Sequence, residues 1–409
     1  MSTDLNLVPT EGPLTKGTSW RERFGGLGGN ARQYGIFAAL VVIILLFQAM
    51  TGGRLLYPDN VAALVNQNAY VMVLAIGMVM VIIAGHIDLS VGSVVATIGG
   101  VVAIAIHDWG VSWWVAVLLA LVLGAVVGAW QGFWIAYVGI PAFIVTLAGM
   151  LVFRGLALAI VSQSIPVLDP TFNGIMANSL PNFLGRLGDA DILTLVIGVL
   201  LILATIWAQM RSRAALRDHN LAVEAVGVFV MKIVLAAAGI AVVTWLLARS
   251  TGGTPIALVI CAVLIVAYTF VMGRTVFGRH IYAIGGNRQA ARLSGVNTRS
   301  VDFWIFVNIG VLGGLTGVIV TSRLGTALAA AGDGFELDAI AACFIGGAAV
   351  TGGIGRISGA IVGALIMGVL NQGLSIMNVD PAWTKVIKGL VLLLAVAYDL
   401  VSKRRAGTQ

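Results

Sequence analysis

Residues 115–130 read VAVLLALVLGAVVGAW, a stretch without a charged side chain. A second apolar stretch covers residues 35–47. Such runs approach the ~20 apolar residues that a helix needs to cross the hydrocarbon core of a bilayer. A helix satisfies its own backbone hydrogen bonds in lipid, whereas the strands of a membrane β-barrel would show short alternating segments. The sequence therefore predicts an all-α, polytopic bundle of transmembrane helices.

The composition of the whole chain agrees with this prediction. Of its 409 residues, 59% are hydrophobic and 10% are charged, against roughly 25% charged in a typical soluble domain. So few polar residues could not cover the surface of a soluble core of this size. A soluble globular enzyme, a disordered protein and a collagen-like fibre are therefore excluded.

We predict about ten to twelve membrane spans. Three of them, 91–107, 142–161 and 338–352, are short or rich in glycine, and we expect these to be broken or re-entrant helices covered by protein or water. In chain order the predicted spans are residues 33–51, 69–85, 91–107, 112–137, 142–161, 192–209, 229–249, 255–272, 300–321, 338–352, 357–376 and 384–401.

Lysine and arginine cluster in four parts of the chain, which the positive-inside rule places in the cytoplasm together with both termini. This bias also explains the net charge of +7, so no nucleic-acid partner is predicted. The predicted organisation is a cytoplasmic tail at 1–32, a membrane domain at 33–401 with a cytoplasmic region at 273–299, and a tail at 402–409. The basic clusters are Lys16, Arg21, Arg23 and Arg32; Arg211, Arg213 and Arg217; Arg274, Arg279, Arg288, Arg292 and Arg299; and Lys403, Arg404 and Arg405.

A polar interruption follows the apolar run at residues 71–83. It contains His86, Asp88 and Ser90 and is followed at once by another apolar run. In one interpretation it is a tight turn in which Asp88 or Ser90 caps the next helix. In the other it is a break within the membrane, where His86, Asp88 and Ser90 belong to a pathway or gate.

Arg154 lies deep in the apolar segment 141–155. A buried arginine needs a partner, and Asp88 is the predicted one, because intramembrane acids are few. The alternative is that Arg154 extends to the membrane interface.

The segment 275–296 is polar, basic and bracketed by glycines. Asn287 can cap a short helix and Gly295 suits the position just after its end. We predict a short cytoplasmic helix whose Ala290-Ala291 face enters a groove on a partner protein. The alternative is a helix that lies on the lipid surface.

Two further polar groups are candidates for function. Asp333, Glu336 and Asp338 cluster at the predicted outer rim, either as a gate or docking point or as acids that favour the start of a helix. Gln67, Asn68, Gln131, Asn371 and Gln372 offer hydrogen bonds at apolar depth, either to a solute or between helices. The chain has no P-loop, no evident catalytic arrangement and no histidine cluster, so no cofactor and no metal site are predicted.

Four stretches of the chain resemble signature segments of bacterial ABC-importer permeases for monosaccharides, such as those for ribose and xylose. The resemblance runs from about residue 66 to 401, and the extra helical pair at about 229–272 and His86 are similar to the xylose and multiple-monosaccharide subgroup. The stretches are AGHIDLSVGS, IPAFIVTLAGMLVFRG, FGRHIYAIGGNRQAARLSG and FELDAIAACFIGGAAVTGGIGRISGAIVGAL.

The resemblance implies a type II-importer-like fold in the bacterial inner membrane and import of a xylose, galactose, glucose or arabinose type of sugar. It also implies three protein partners: a second permease copy, a cytoplasmic ABC ATPase that holds ATP and Mg²⁺, and a periplasmic sugar-binding protein. The residues that would couple to the ATPase are Gly286, Asn287, Arg288, Ala290, Ala291, Arg292, Leu293, Ser294 and Gly295.

Two other functions remain open from the sequence. An ABC permease for a nucleoside or a branched-chain amino acid would share this architecture. An ion-driven secondary transporter would normally show more intramembrane acids. Neither would require catalytic residues in this chain.

Overall fold

The computed structural model describes residues 31–406, apart from residues 220 and 222. The predicted tail at 1–32 therefore lies almost wholly outside the described residues. The described part is mostly helical. Its α-helices are α1 (Ala31–Met50), α2 (Pro58–Ile83), α3 (Val91–His107), α4 (Trp113–Phe133), α5 (Ala142–Ile160), α6 (Pro170–Ala177), α7 (Ile192–Asp218), α8 (Val226–Ala248), α9 (Ile256–Arg274), α10 (Val276–Gly286), α11 (Arg288–Leu293), α12 (Thr298–Leu324), α13 (Phe335–Ile345), α14 (Ile357–Ile376) and α15 (Pro381–Ala406).

The remaining elements are small. A π-helical turn, Trp134–Val138, continues α4. Two antiparallel pairs of two-residue strands join loops at one end of the bundle: β1 (Ile165–Pro166) pairs with β4 (Thr326–Ala327), and β2 (Arg186–Leu187) pairs with β3 (Ala190–Asp191).

The helical architecture confirms the predicted fold class. Among the described residues, eight helices are long and apolar enough to cross a membrane: α2, α4 with its π-helical turn, α5, α7, α8, α9, α12 and α14. Shorter apolar helices cover Gly35–Met50 and Val91–His107. Each of the predicted spans overlaps a helix, and those at 91–107 and 357–376 coincide with α3 and α14. The helix α15 runs to Ala406 and so includes part of the predicted tail.

The three predicted helix breaks have different outcomes. The helix α13 has 11 residues, about 16 Å of rise against a ~30 Å hydrocarbon core, so the interruption predicted in 338–352 is confirmed. The helices α3 and α5 are continuous, so neither is broken, although α3 is shorter than the eight long apolar helices. Their glycines make room for neighbours instead: Gly100 faces Val161 and Gly149 faces Gln131.

The core of the bundle surrounds α2. Among the eight long apolar helices, α2 has the largest buried share, 83% of its apolar stretch, against 0% for α8. The helices α9, α12, α13 and α14 pack against α2, while α7 and α8 pack mainly against each other. Since α7 and α8 present apolar side chains outward, they form the periphery that faces lipid.

The helices α4 and α12 approach closely through glycines. A Cβ added at Gly124 would overlap the carbonyl oxygen of Gly310, and one added at Gly310 would overlap the carbonyl oxygen of Gly124. Gly128 and Gly314 face the backbones of Phe306 and Ala120 in the same way. Both helices thus carry small residues four apart, which lets their backbones touch where no hydrophobic effect drives association.

We expect Gly310→Ala to destabilise this contact, because the added methyl group meets backbone rather than a flexible side chain. The expected loss is about 1–3 kcal/mol, as for other overpacked interiors, measured as a lower melting temperature of the purified protein in detergent. The matched control is Gly239→Ala in α8, where a Cβ meets nothing within 4 Å. Equal melting temperatures for the two variants would contradict the role of the α4–α12 contact.

Candidate functional site

The interruption between α2 and α3 forms a buried polar turn. Asp88 is 2% exposed, and its Oδ1 accepts hydrogen bonds from the backbone N–H of Ser90 at 2.8 Å and from Ser90 Oγ at 2.7 Å. Gln131 Nε2, from α4, donates to Ser90 Oγ at 2.6 Å. The structure therefore brings three of the predicted pathway residues, Asp88, Ser90 and Gln131, into one hydrogen-bonded chain.

The capping prediction for this turn is wrong in its detail. Ser90 stands at the N-cap position of α3 but makes no capping hydrogen bond with its side chain. Asp88 closes a local turn on Ser90 instead, a bond that short acidic side chains make as readily as a cap. The polar groups of the turn thus satisfy one another and Gln131.

The predicted pairing of Arg154 with Asp88 is also wrong. Arg154 Nη1 donates to the carbonyl oxygens of Ala329 at 2.8 Å and Ala331 at 3.0 Å. Backbone carbonyls freed by the loop between α12 and α13 therefore satisfy this cation. Arg154 holds that loop against α5 and takes no part in the Asp88 turn.

His86, Arg288 and Asp302 form a polar contact that we call the His86 junction. Arg288 makes a two-pronged contact with Asp302, with Nη1 2.5 Å from Oδ2 and Nη2 3.2 Å from Oδ1. His86 Nε2 lies 3.2 Å from Asp302 Oδ1 and 2.9 Å from Arg288 Nη2. The junction therefore joins the interruption after α2, the first residue of α11 and the start of α12.

Asp302 was missed by the sequence-based reasoning. Its side chain is 4% exposed, against 44% for Arg288. A carboxylate this buried needs a charged partner, and it faces Arg288 and His86. The sequence did contain a signal for Asp302: it is an acidic residue one turn inside an apolar helix, and this chain has few such residues.

The short helix α11 has the predicted ends. Asn287 Oδ1 accepts a hydrogen bond from the N–H of Ala290 at 2.9 Å, and Gly295 has a φ of +85° just beyond the last turn. The predicted binding face needs a correction, because Ala291 is 5% exposed and packs inside its own chain, whereas Leu293 is 84% exposed. The exposed surface of α11 is centred on Leu293. The other predicted coupling residues, Gly286, Asn287, Arg288, Ala290, Arg292, Ser294 and Gly295, are exposed as well.

The ends of three segments meet beside α11 through glycines. The backbone N–H of Gly353 donates to the carbonyl oxygen of Ile83, the last residue of α2, at 2.8 Å. A Cβ at Gly285 would overlap the same carbonyl oxygen. The end of α2, the end of α10 and the non-helical segment 346–356 are thus fixed to one another.

A cavity of about 230 Å³ lies at the opposite end of the bundle, and we call it the amide cavity. Four of the five amide side chains singled out in the sequence line it, whereas Gln131 belongs to the Asp88 turn. Tyr70, Phe335, Arg323 and Lys388 were not predicted. Its lining residues are Leu64, Gln67, Asn68, Tyr70, Arg323, Phe335, Gly368, Asn371, Gln372 and Lys388.

Three residues that line this cavity have a buried amide oxygen without a hydrogen-bond partner in the described part of the chain. The oxygens are Asn68 Oδ1, Asn371 Oδ1 and Gln372 Oε1. Asn68 does use its other end, since Nδ2 donates to the carbonyl oxygen of Ala364 at 2.7 Å. Buried acceptors without a partner are uncommon in folded proteins, and each one calls for an explanation.

The acidic cluster is less exposed than predicted. Asp338 is 4% exposed and accepts from Tyr70 Oη at 2.7 Å, while Lys388 Nζ lies 3.1 Å from it. The exposed Asp333 accepts from Lys385 Nζ at 2.8 Å. Asp333 lies outside the predicted spans. The hydrogen bond from the Lys385 ammonium group holds the pKa of its carboxyl below the usual range. Glu336 is half-buried between them. Asp333 thus remains a rim residue, whereas Asp338 supports the wall of the amide cavity.

The fold and these polar clusters define a multi-pass α-helical membrane protein with polar groups held between its helices. In the part of the chain that the structure describes, no three His, Cys, Asp or Glu side chains are grouped so as to hold a metal ion. Residues 60–248 and 242–396 match the family described as the permease component of the branched-chain amino acid transport system. The chain belongs to this family and is therefore a transport permease component.

Named relatives are similar to this chain over most of its length. The xylose transport system permease protein of Escherichia coli K12 is 39% identical, covering 97% of this chain and 99% of the relative. The Haemophilus influenzae protein of the same name is 38% identical, covering 92% and 98%. The ribose import permease protein of Bacillus subtilis 168 is 33% identical, covering 91% and 94%. No solved structure matches this chain significantly.

Neutralising Asp302 tests the His86 junction. We expect Asp302→Asn to destabilise the protein by about 1–3 kcal/mol, because it leaves the guanidinium of Arg288 without its carboxylate. The loss falls short of that for a fully buried pair, since Arg288 is 44% exposed. The free energy of unfolding in detergent measures it.

The control for Asp302→Asn is Asp108→Asn. Asp108 is 55% exposed, and the imidazole of His107 lies 3.9 Å from its carboxylate. We expect this control to change stability by less than about 0.5 kcal/mol. Equal effects of the two variants would show that the junction contributes nothing to stability.

Proposed function

We propose that this chain is the membrane-spanning subunit of an ATP-driven ABC importer for monosaccharides, with xylose as the first substrate to test. The observation that carries the proposal is the 39% identity to a xylose permease over 97% of this chain and 99% of the relative. The amide side chains that gather in one cavity support a solute rich in hydroxyl groups. Galactose, glucose and arabinose are the related candidates.

The proposed orientation follows from the charge pattern. With α11 and both termini in the cytoplasm of a bacterium, the basic clusters lie on the inner side of the inner membrane. The amide cavity, at the other end of the bundle, then faces the periplasm.

In this proposal α11 is the contact with a separate cytoplasmic ATPase. Its exposed Leu293 offers an apolar anchor, and its bracketing by Asn287 and Gly295 keeps the helix short and stiff. ATP and Mg²⁺ bind to the ATPase chain, a second permease copy completes the channel, and a periplasmic binding protein delivers the sugar beside Asp333.

The mechanism we infer is alternating access without chemistry on the sugar. A movement of α11 acts through Arg288 on Asp302 and His86, because these side chains are in contact. His86 begins the turn that contains Asp88 and Ser90. Ser90 accepts a hydrogen bond from Gln131. Nucleotide-driven movement of the ATPase thereby reaches the end of α2 and biases the two access states.

A second candidate substrate class is a branched-chain amino acid, which the description of the family names. A zwitterion needs both an anionic and a cationic partner when it leaves water. No carboxylate is among the residues that line the amide cavity, so the ammonium group of an amino acid would find no anionic partner there. An ion-driven transporter stays the third possibility, and it would work without an ATPase.

The test of the function is uptake by the reconstituted complex. Proteoliposomes that contain the full-length permease, its ATPase and its binding protein should accumulate radiolabelled xylose when ATP is present. An ATPase variant unable to hydrolyse ATP is the control. Accumulation of leucine instead of a sugar, or uptake by the permease alone under an ion gradient, would overturn the proposal.

The contact with the ATPase has a separate test. We expect Leu293→Asp to reduce co-purification of the ATPase with the permease at least tenfold, because it places a charge at the apolar anchor. The matched control is Leu168→Asp, since Leu168 is 75% exposed but lies near the opposite end of the bundle. If the Leu293 variant retained the ATPase as well as the Leu168 variant, α11 would not be the docking helix.

A further inference from the structure

The β2–β3 hairpin and the residues that lead into it, 183–191, carry exposed apolar side chains that the proposed transport cycle does not use. We call this segment the apolar hairpin. Phe183, Leu184 and Leu187 are 73%, 45% and 72% exposed. Single exposed apolar side chains are ordinary, but a cluster of them marks a contact with a protein or with a membrane.

The apolar hairpin is held against the ends of α7 and α8. The guanidinium of Arg186 donates to the carbonyl oxygens of Ser250 at 3.0 Å and Thr251 at 3.1 Å, just past the end of α8. Carbonyls freed near a helix end need such partners from elsewhere in the protein. On the other strand, Asp191 caps α7, since its Oδ2 accepts from the N–H of Thr194 at 2.8 Å. The position of the hairpin is therefore tied to these two peripheral helices.

The apolar length of α7 sets the height of the hairpin relative to the bilayer. Residues 192–210 contain no charged side chain, and Arg211 follows them. As a helix this stretch rises about 28 Å, nearly the ~30 Å thickness of the hydrocarbon core. The whole stretch is needed to cross the core, so Ile192 lies at its edge. Leu187 pairs with Ala190 directly before Ile192, which places the hairpin in the adjoining headgroup layer.

A tryptophan near the end of α8 indicates the same height. Trp245 is 52% exposed, and the guanidinium of Arg249 lies 5.7 Å from the centre of its ring. Exposed tryptophans are enriched where acyl chains meet headgroups, and arginines extend their charge to the same level. Ser250, which Arg186 contacts, comes directly after Arg249. The hairpin is therefore bonded to backbone at the membrane interface.

The apolar surface of the hairpin continues into the lipid-facing side of α7. Val196, Val199 and Leu200 are 41%, 55% and 58% exposed, one to two turns beyond Ile192. The helix α7 packs mainly against α8, so lipid covers these side chains. A water-soluble partner would have to displace headgroups to reach a surface at this level, whereas lipid is already there.

The charges of the hairpin do not oppose a contact with lipid. Residues 181–188 contain one charged side chain, Arg186, and its guanidinium is bound to backbone carbonyls. We propose that the apolar hairpin is an interfacial membrane anchor. Phe183, Leu184 and Leu187 enter the headgroup layer of the phospholipid bilayer and fix the height of this end of α7 and α8.

The test is the lipid exposure of a nitroxide label at Leu187→Cys in the full-length permease, in nanodiscs of phosphatidylethanolamine and phosphatidylglycerol. Cys261 and Cys343 are buried at 0% exposure, so the thiol reagent labels the new cysteine. Oxygen concentrates in lipid and a nickel chelate stays in water, so the ratio of their collision rates with the label reports lipid contact.

The matched control is Leu168→Cys. Leu168 is 75% exposed, but the N–H of its neighbour Val167 bonds to the carbonyl oxygen of Gly325, at the end of the central helix α12. We expect the oxygen-to-nickel ratio at residue 187 to exceed that at residue 168 at least about fivefold, because an interfacial side chain lies several ångströms inside the bilayer surface. Val199→Cys supplies the ratio of a lipid-facing position.

A second substitution tests how the hairpin is positioned. In the Leu187→Cys protein, Arg186→Gln should lower the ratio at least about twofold, because it removes the charge-assisted hydrogen bonds that hold the hairpin against α8. An unchanged ratio would show that Arg186 is not the positioning residue.

The same measurement distinguishes lipid from a protein partner. Equal ratios at residues 187 and 168 would overturn the membrane anchor. So would a label at residue 187 that is open to the nickel chelate until a periplasmic sugar-binding protein is added, since the hairpin would then be a protein-docking surface. Because the permease is studied without its partners, the high ratio expected at residue 187 does not depend on which solute it carries.

Discussion

Backbone groups freed at the end of a membrane helix must find hydrogen bonds within the protein, and the architecture depends on how this chain meets that constraint. The carbonyl oxygen of Ile83 ends α2 and accepts from Gly353. The backbone of Gly285 packs against the same carbonyl because it carries no Cβ. The central helix, the helix before α11 and the segment after α13 are therefore held at one point.

From this point three continuous helices connect the two polar ends of the bundle. The helix α2 carries Asn68 and leads into His86, α12 contains Asp302 near its start and Arg323 near its end, and α14 carries Gln372. Packed helices move as stiff bodies, so we infer that a shift of the His86 junction would reach the wall of the amide cavity. Glycine contacts such as Gly124 with Gly310 let α12 lie directly on α4, so we expect α4 to follow a shift of α12.

The sequence was most informative where structure is local. Apolar run length located α3 and α14 residue by residue, since a helix in lipid must contain an unbroken apolar segment. The cap of Asn287 and the left-handed Gly295 were also predictable, because both interactions lie within a few residues of one another. The glycines of α3 and α5 did not break these helices, contrary to the prediction. In sequence, a glycine that lets a neighbouring helix pack closely cannot be distinguished from one that ends a helix.

The sequence by itself determined the all-α membrane class, most helix positions, the short helix before α12 and the residue types available for polar contacts. The tertiary structure decided which of those residues meet. In the folded chain Arg154 donates hydrogen bonds to the carbonyl oxygens of Ala329 and Ala331. His86 contacts Asp302, and amide side chains from α2 and α14 line one cavity. The reason is physical: local patterns report how the backbone satisfies itself, whereas partners of buried polar groups come from helices that are distant in sequence and adjacent only after packing.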